Sequence, residues 1–133
     1  MSQDEIERFQ LQREYFEKAL ARLGEVLEMP ESDVVRDSII QRFEFTFEMA
    51  WKTMFRYLTD KGERMAVKAW DVLPVAFESL LISDAETWDY MREFRNEMSH
   101  EYNQVKALAV VSFIRYKAYP AMLELSGELA KRK

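Results

Sequence analysis

The stretch 41–58, QRFEFTFEMAWKTMFRYL, decides the fold class of this chain. Its large apolar residues recur every three or four positions, the spacing that places side chains on one face of an α-helix. That face consists of Phe43, Phe47, Trp51, Met54 and Leu58. A stripe of this kind is typical of a helix that packs into the core of a helical bundle.

Two further apolar residues of the same stretch, Phe45 and Met49, lie outside the stripe. In the same stretch Glu44, Glu48 and Lys52 recur every four residues and are typical of an exposed face. A helix that is apolar around most of its circumference is buried on more than one side. In so small a domain we expect another subunit to cover the second side, so a homodimer is predicted.

Length and composition agree with one helical domain. The 133 residues suffice for a single core but not for two ordinary domains, so one domain spanning 1–133 is predicted. Three glycines and three prolines leave few interruptions, which favours a few long helices over many strands and turns. The absence of cysteine excludes disulfides and thiolate metal sites.

Charge and hydropathy limit the possible partners. The net charge of -5 argues against a surface that binds nucleic acid broadly, so any contact with a polyanion is expected to be local. No apolar run is long enough to cross a bilayer, and the N-terminus, MSQDEIERFQ, is charged from its start. We therefore expect no membrane association, no secretory signal and a cytoplasmic location.

Capping residues and helix breakers divide the chain into five predicted helices. Ser2 opens a capping box for the first helix, and the residues 29–31, which include a proline, end it. The second helix is predicted to begin at Ser32 or Asp33 and to end at Asp60, shortly before a glycine.

Three more helices are predicted in the second half. A short one covers about 71–81, and a fourth begins at Ser83 or Asp84. Asn103 can cap the fifth, which continues to the end of the chain and contains Pro120, expected to bend its axis. The predicted architecture is all-α, an antiparallel up-and-down bundle of four main helices and a short one.

One segment, FRNEMSHEYN at 94–103, carries residues suited to chemistry. It holds the only histidine of the chain, His100, with Arg95 five positions before it and Tyr102 two positions after it. Asn96 lies four positions before His100 and shares its face on a regular helix. Arg95 and His100 point about 140° apart on such a helix. They converge only if the helix ends near His100 or if a second copy of the motif faces the first.

The pair of arginine and histidine suits phosphodiester chemistry. Histidine transfers protons near neutral pH, and arginine binds a phosphate with two hydrogen bonds. Cleavage of an RNA phosphodiester by its own 2′-hydroxyl needs proton transfer and stabilisation of the charge on the phosphate oxygens, and it needs no metal. No metal site and no cofactor are predicted, because one histidine among scattered carboxylates gives no recognisable ligand spacing. The simpler interpretation is a surface histidine near a helix C-terminus, where the helix dipole favours its cation.

Neighbouring residues have plainer roles open to them. Ser99 suits a hydrogen bond at a helix end better than nucleophilic attack. A packing role, with its hydroxyl hydrogen-bonded, is the ordinary one for Tyr102. Arg92 either adds charge to a cleft or pairs on the surface with Asp89 or Glu93.

Two segments resemble a known family, the nucleotidyltransferase substrate-binding proteins, within the larger HEPN group of all-α proteins. QRFEFTFEMAWKTM, residues 41–54, is similar to the long aromatic helix of that family. RNEMSHEY, residues 95–102, matches the HEPN signature of an arginine, four to six residues and a histidine, in the form that ends His-x-Tyr. Helix order and chain length agree as well, so the resemblance covers nearly the whole chain.

The resemblance implies an assembly and a set of site residues. Family members form dimers in which the motif helices of two subunits line one cleft, and they bind a small nucleotidyltransferase encoded nearby. Some are metal-independent endoribonuclease toxins with that partner as antitoxin. In this type Arg95 and His100 would be catalytic, Asn96 would assist, and Tyr102 would be the residue that the partner modifies with AMP.

Two functions therefore stay open. The first is a ribonuclease toxin that cleaves RNA with Arg95, Asn96 and His100. The second is a non-catalytic subunit that binds a substrate for a nucleotidyltransferase. Both predict the same neighbouring partner, so growth arrest on expression of this chain alone is the observation that separates them.

Overall fold

The computed structural model describes residues 2–63, 69–98 and 104–132, and all regular secondary structure within them is helical. In chain order the elements are α1 (Gln3–Leu27), α2 (Asp33–Asp60), α3 (Ala69–Glu78), α4 (Ala85–Met98), α5 (Gln104–Phe113), a π-helical segment (Ile114–Ala118) and α6 (Tyr119–Lys131). The predicted all-α class is confirmed. None of the helices in the described part of the chain is long and apolar enough to cross a membrane.

α1 and α2 begin at the capping residues that the sequence predicts. The Ser2 hydroxyl accepts a hydrogen bond from the backbone N–H of Glu5 at 3.2 Å. The Ser32 hydroxyl accepts one from the N–H of Val35 at 3.1 Å, which makes Ser32 the N-cap of α2. Each serine satisfies one of the N–H groups that lack a partner at a helix start. The predicted end of α2 at Asp60 is also confirmed.

α1 and α2 run in opposite directions along each other. The Thr53 hydroxyl oxygen lies 3.3 Å from the carbonyl oxygen of Gln12, and that of Thr46 lies 3.2 Å from the carbonyl oxygen of Ala19. Each hydroxyl also makes a shorter bond within α2, to the carbonyl four residues before it, at 2.7 and 2.6 Å respectively. Residue numbers rise along one helix as they fall along the other, so the two helices are antiparallel. These bonds also satisfy two buried threonine side chains.

The C-terminal helices also pack antiparallel to α1. The guanidinium of Arg115 donates to the carbonyl of Leu27 at 2.6 Å, near the end of α1. Further along, the Ser126 hydroxyl donates to the two carboxylate oxygens of Glu17 at 2.7 and 2.9 Å. The bundle thus closes around a shared core, as the predicted up-and-down arrangement requires.

The aromatic stripe of α2 forms the centre of that core. Each of its members is at most 8% exposed, namely Phe43, Phe47, Trp51, Met54 and Leu58. The C-terminal helices contribute a second buried row, consisting of Val111, Ile114, Ala118, Met122, Leu125 and Leu129. The predicted interior of the bundle is therefore confirmed on both helices.

The remaining apolar residues of α2 have two different environments. The Tyr57 ring is buried and lies 5.7 Å from that of Phe9 in α1, centroid to centroid. Phe45 remains 57% exposed in the single chain. α1 thus covers part of the second side of α2, and a second subunit over Phe45 remains a prediction.

A π-helical segment stands where the sequence predicts a bend. The backbone N–H of Tyr119 bonds the carbonyl of Ile114, five residues earlier, and Pro120 follows in the first turn of α6. Proline lacks an N–H, and its ring clashes with the carbonyl four residues before it in a regular α-helix. A π turn widens the helix at this point and relieves that clash. The prediction that the helical stretch continues through Pro120 is confirmed.

α3 ends three residues earlier than the predicted Leu81 because the chain reverses at Leu80. Leu80 has a φ of 65°, the left-handed conformation. Its N–H bonds the carbonyl of Phe77 at 3.1 Å, and the N–H of Leu81 bonds that of Ala76 at 2.9 Å. This pair of bonds is the Schellman motif, which usually places glycine at the left-handed position.

Replacing Leu80 with glycine is expected to stabilise the protein. The side chain is 76% exposed, so little packing is lost, and glycine removes the conformational cost of about 1–2 kcal/mol that a left-handed L-residue carries. The greater freedom of glycine in the unfolded chain offsets part of this, leaving a gain of about 0.5–1 kcal/mol. Urea unfolding of Leu80→Gly measures it. Leu80→Ala keeps the Cβ atom and should show no gain, and equal stability of both variants would contradict the argument.

Candidate functional site

The helix that carries the first part of the motif, α4, has a well-defined start. Asp84 is its N-cap, one of the two predicted residues. One Asp84 carboxylate oxygen accepts from the Thr87 N–H at 3.1 Å and the other from the Thr87 hydroxyl at 2.6 Å. These bonds lower the pKa of the Asp84 carboxyl, and the bond from the Thr87 hydroxyl contributes most. The cap therefore stays ionised at neutral pH and complements the helix dipole.

The middle of α4 is anchored in the core. The Trp88 ring is 1% exposed and lies 6.3 Å from the Phe47 ring of α2, centroid to centroid. Met91, one turn later, is fully buried. Because both side chains are held in the interior, the rotation of α4 about its own axis is fixed.

Three aromatic rings join the last turns of α4 to α5. Phe94 lies 4.8 Å from Phe113, and Tyr90 lies 6.4 Å from Phe94 and 6.2 Å from Phe113, as distances between ring centroids. We call these three residues the ring cluster. Phe94 and Phe113 are half-buried, whereas Tyr90 is 45% exposed. The ring cluster braces the part of α4 that immediately precedes Arg95.

Two of the predicted site residues lie within the part of the chain that the structure describes, and two lie outside it. Arg95 and Asn96 lie in the last turns of α4, which extends to Met98. His100 and Tyr102 belong to 99–103, which is outside the described residues. The convergence of these side chains, and the predicted helix end near His100, therefore stay predictions.

Arg92 behaves differently from a solvated surface cation. It is half-buried, and its Nε is shielded from water without a hydrogen-bond partner in the part of the chain that the structure describes. A donor in this state costs free energy unless a further group bonds to it. Of the two roles open from the sequence, added charge beside the motif agrees better with this burial.

The described side chains show no arrangement suited to a metal ion. No group of three or more histidine, cysteine, aspartate or glutamate side chains that could hold one occurs within 2–63, 69–98 and 104–132. Arg95 and Asn96 lie in the last turn of α4, which is anchored in the core at Trp88 and Met91. A guanidinium and an amide at such a position can bind phosphate oxygens through charge-assisted and neutral hydrogen bonds.

Comparison with known proteins assigns the chain to a family. The model of the family "Nucleotidyltransferase substrate binding protein like" matches residues 11–131. The chain belongs to this family. The match spans α4, α5 and the whole segment 95–102, so the resemblance of the two motif segments to HEPN proteins is confirmed.

Two known proteins are similar to this member of the family. "Probable ribonuclease HepT" of Haemophilus influenzae is 37% identical over 91 residues, which cover 61% of this chain and 61% of that protein. The chain thus aligns with less than two thirds of that relative's length. A crystal structure from Thermus thermophilus has a TM-score of 0.70 at 35% identity and covers 88% of this chain and 97% of its own. The bundle is therefore a fold already seen in a solved structure.

The sequence did not indicate the ring cluster. Tyr90 and Phe94 are four residues apart and share a helix face, which is a detectable signal. Phe113 lies 19 residues after Phe94, on another helix, and nothing local connects the two. Only the packing of α4 against α5 brings the three rings together.

Removal of the Phe113 ring is expected to loosen the end of α4. A buried Phe→Ala change costs about 3–5 kcal/mol, and a half-buried ring should cost about 1–3 kcal/mol. Urea unfolding of Phe113→Ala measures the loss, and hydrogen exchange should show faster exchange across 90–98. Tyr116→Ala is the control because Tyr116 is 70% exposed, and its effect should stay within about 0.5 kcal/mol. Unchanged exchange in Phe113→Ala would show that the ring cluster does not brace α4.

Proposed function

We propose that this protein is a metal-independent endoribonuclease and the toxin of a toxin–antitoxin pair whose other member is a small nucleotidyltransferase. The proposal rests on one observation: this chain belongs to the family and its sequence has the complete Arg-x4-His-x-Tyr motif. The first two motif residues, Arg95 and Asn96, lie at the end of a helix that is anchored in the core. The name of the Haemophilus influenzae relative, a probable ribonuclease, supports the same reaction class.

In the proposed reaction the RNA supplies its own nucleophile. His100 acts as general base on the 2′-hydroxyl, whose oxygen attacks the adjacent phosphorus while the bond to the 5′-oxygen of the next nucleotide breaks. The leaving oxygen takes up a proton, and the products are a 2′,3′-cyclic phosphate and a 5′-hydroxyl. Arg95 stabilises the charge that develops on the phosphate oxygens, and Asn96 adds a neutral hydrogen bond.

A dimer would bring two copies of the motif to one cleft. On a regular helix Arg95 and His100 of one chain point about 140° apart, so a site made from two chains relaxes this constraint. Phe45 on α2 is 57% exposed, and this apolar side chain is one that a second chain could cover. The proposed active unit is accordingly a homodimer with two chains contributing to the RNA cleft.

The second candidate is a non-catalytic subunit that binds a substrate for the nucleotidyltransferase. The description of the family favours it, since that description names substrate binding and no cleavage. Expression of the chain with and without the adjacent reading frame separates the two functions. Growth arrest with fragmented RNA in the absence of the partner supports the toxin, and normal growth with intact RNA supports the binding subunit.

Loss of either charged motif residue should abolish most cleavage. His100→Ala removes the group that transfers the proton, which costs on the order of 100-fold or more in kcat. Arg95→Lys should also be poor, because an ammonium cannot reproduce the two parallel hydrogen bonds of a guanidinium. The measurement is cleavage of a labelled RNA by purified dimer, with circular dichroism to confirm the helical fold.

Controls for this experiment come from the same molecule. Arg36→Lys changes an arginine that already pairs with Glu31 and Asp33, far from the motif in sequence, and should leave cleavage unchanged. Cleavage should persist in a chelator, because no step of the proposed reaction uses a metal. Wild-type activity in His100→Ala would overturn the mechanism.

Modification of Tyr102 is the proposed means of control. The phenol oxygen attacks the α-phosphorus of ATP on the partner enzyme, an O–P bond forms, pyrophosphate leaves, and the phenol proton passes to a base or to water. The attached phosphate brings negative charge to the place where RNA must bind and can pair with Arg95. The modified protein is therefore silenced without being unfolded.

Intact-mass measurement after incubation with the partner and ATP tests this proposal. We expect added adenylate on the wild type and none on Tyr102→Phe, which keeps the ring but lacks the acceptor oxygen. Tyr116→Phe is the matched control and should be modified like the wild type, since it alters an exposed tyrosine outside the motif. An active partner that leaves the wild type unmodified would make Tyr102 a packing residue.

A further inference from the structure

A groove separate from the motif opens between α1, the end of α2 and Arg132. It has a volume of about 690 Å³, within the usual range of small-molecule sites. Its apolar wall consists of Ile6 and Phe9, both half-buried, and Tyr57. None of the described residues that line it belongs to α4 or α5, so it lies apart from the helix that carries Arg95 and Asn96.

The base of the groove is rigid. The Phe9 and Tyr57 rings lie 5.7 Å apart at an interplanar angle of 49°. Arg132 donates to the Glu128 carboxylate at 3.0 Å and to the Ser79 carbonyl at 2.9 Å. These two bonds fix the position of the Arg132 guanidinium at the edge of the groove.

Two polar atoms in the groove wall lack the partners that their burial demands. The Nε of Arg13 and one carboxylate oxygen of Asp60 are shielded from water and have no hydrogen-bond partner among the described residues. Burial, followed by the charge of Glu5, raises the pKa of the Asp60 carboxyl. Unpaired buried groups are rare and costly in folded proteins, and both residues line the groove, where a bound molecule could supply the missing partners.

The two groups lie on opposite sides of the ring pair. Arg13 is one turn beyond Phe9 on α1, and Asp60 is about one turn beyond Tyr57 on α2. Since the helices are antiparallel and the two rings touch, the polar residues are separated by about 10 Å along the helix axes. A single ligand would need an acceptor at one end, a donor at the other and a flat apolar part between them.

The charges around the groove favour a small anion over a long one. Lys18 and Lys61 line it together with Arg13, while Glu14 and Glu17 lie on the same α1 wall. Cations alone would attract polyanions such as RNA, but interspersed carboxylates repel a chain of phosphates. A single phosphate group needs only the guanidinium of Arg13, whereas a longer polyanion would have to pass Glu14 and Glu17.

We propose that this groove binds a purine mononucleotide that carries an exocyclic amine, of which adenosine monophosphate is the representative. The phosphate accepts hydrogen bonds from Arg13, with Lys18 nearby. The base lies against Ile6 and Phe9, and its amine donates to Asp60. This site is independent of RNA cleavage and requires neither the motif nor a nucleotidyltransferase.

Isothermal titration of the full-length protein with adenosine monophosphate tests the proposal. We expect one site per chain and weaker binding of three comparison compounds: adenosine lacks the phosphate, inosine monophosphate replaces the amine with a carbonyl, and inorganic phosphate lacks the base. Arg13→Gln should weaken binding about tenfold or more, because it removes a charge-assisted hydrogen bond. Asp60→Ala should abolish the preference for adenosine monophosphate over inosine monophosphate.

The matched control is Arg22→Gln, an exposed arginine of the same helix outside the groove, which should bind like the wild type. The ligand comparisons on the wild type keep the test valid if a variant fails to fold. Absence of binding at millimolar nucleotide, equal binding of inorganic phosphate, or full affinity in a folded Arg13→Gln protein would each overturn the proposal. In that case water alone satisfies Arg13 and Asp60.

Discussion

The contact between Phe47 and Trp88 is the interaction on which the rest of the structure depends. Phe47 belongs to the central stripe of α2, and Trp88 is the largest fully buried side chain of the described core. Interior packing is dense, so a ring of this size fixes the distance and rotation of the helix that carries it. Arg95 follows Trp88 by about two helical turns, or about 10 Å along α4. The position of the motif helix is therefore determined in the core.

Local features of the sequence predicted most of the helical framework. The stripe of α2 and the caps Ser2, Ser32 and Asp84 are encoded by residues within a few positions of where they act, so periodicity and capping rules found them. Two boundaries needed more than local rules. Leu80 takes a left-handed conformation without being glycine, because Leu81 is buried and the chain must reverse there. The π segment before Pro120 depends on how the whole stretch packs.

In the candidate site, too, some residues were predictable from local sequence and others were not. Arg95 and Asn96 were predicted from a motif and lie on the expected helix, because the motif is contiguous in sequence. The ring cluster and the groove join residues from different helices, and neither has a contiguous signal. Arg13 and Asp60 are 47 positions apart, and only the antiparallel packing of α1 on α2 makes them part of one surface. Sequence patterns thus predict what one helix presents and miss what two helices create.

The π segment has a consequence for the helical phase of the C-terminal stretch. Ile114, Ala118 and Met122 are all buried and follow one another at steps of four residues. Phe43, Phe47 and Trp51 of the uninterrupted α2 show the same spacing and burial, so the buried row alone does not require the π turn. The π segment takes up one residue more than an α-helical turn of the same height. Loss of one residue from it would therefore leave α5 and α6 facing the same side of the bundle, whereas loss of one residue from a regular α-helical turn rotates the residues on one side of it by about 100° relative to the other. Within this stretch the π segment is thus the place where chain length and helix rotation are uncoupled, so that Phe113 can keep its contact with α4.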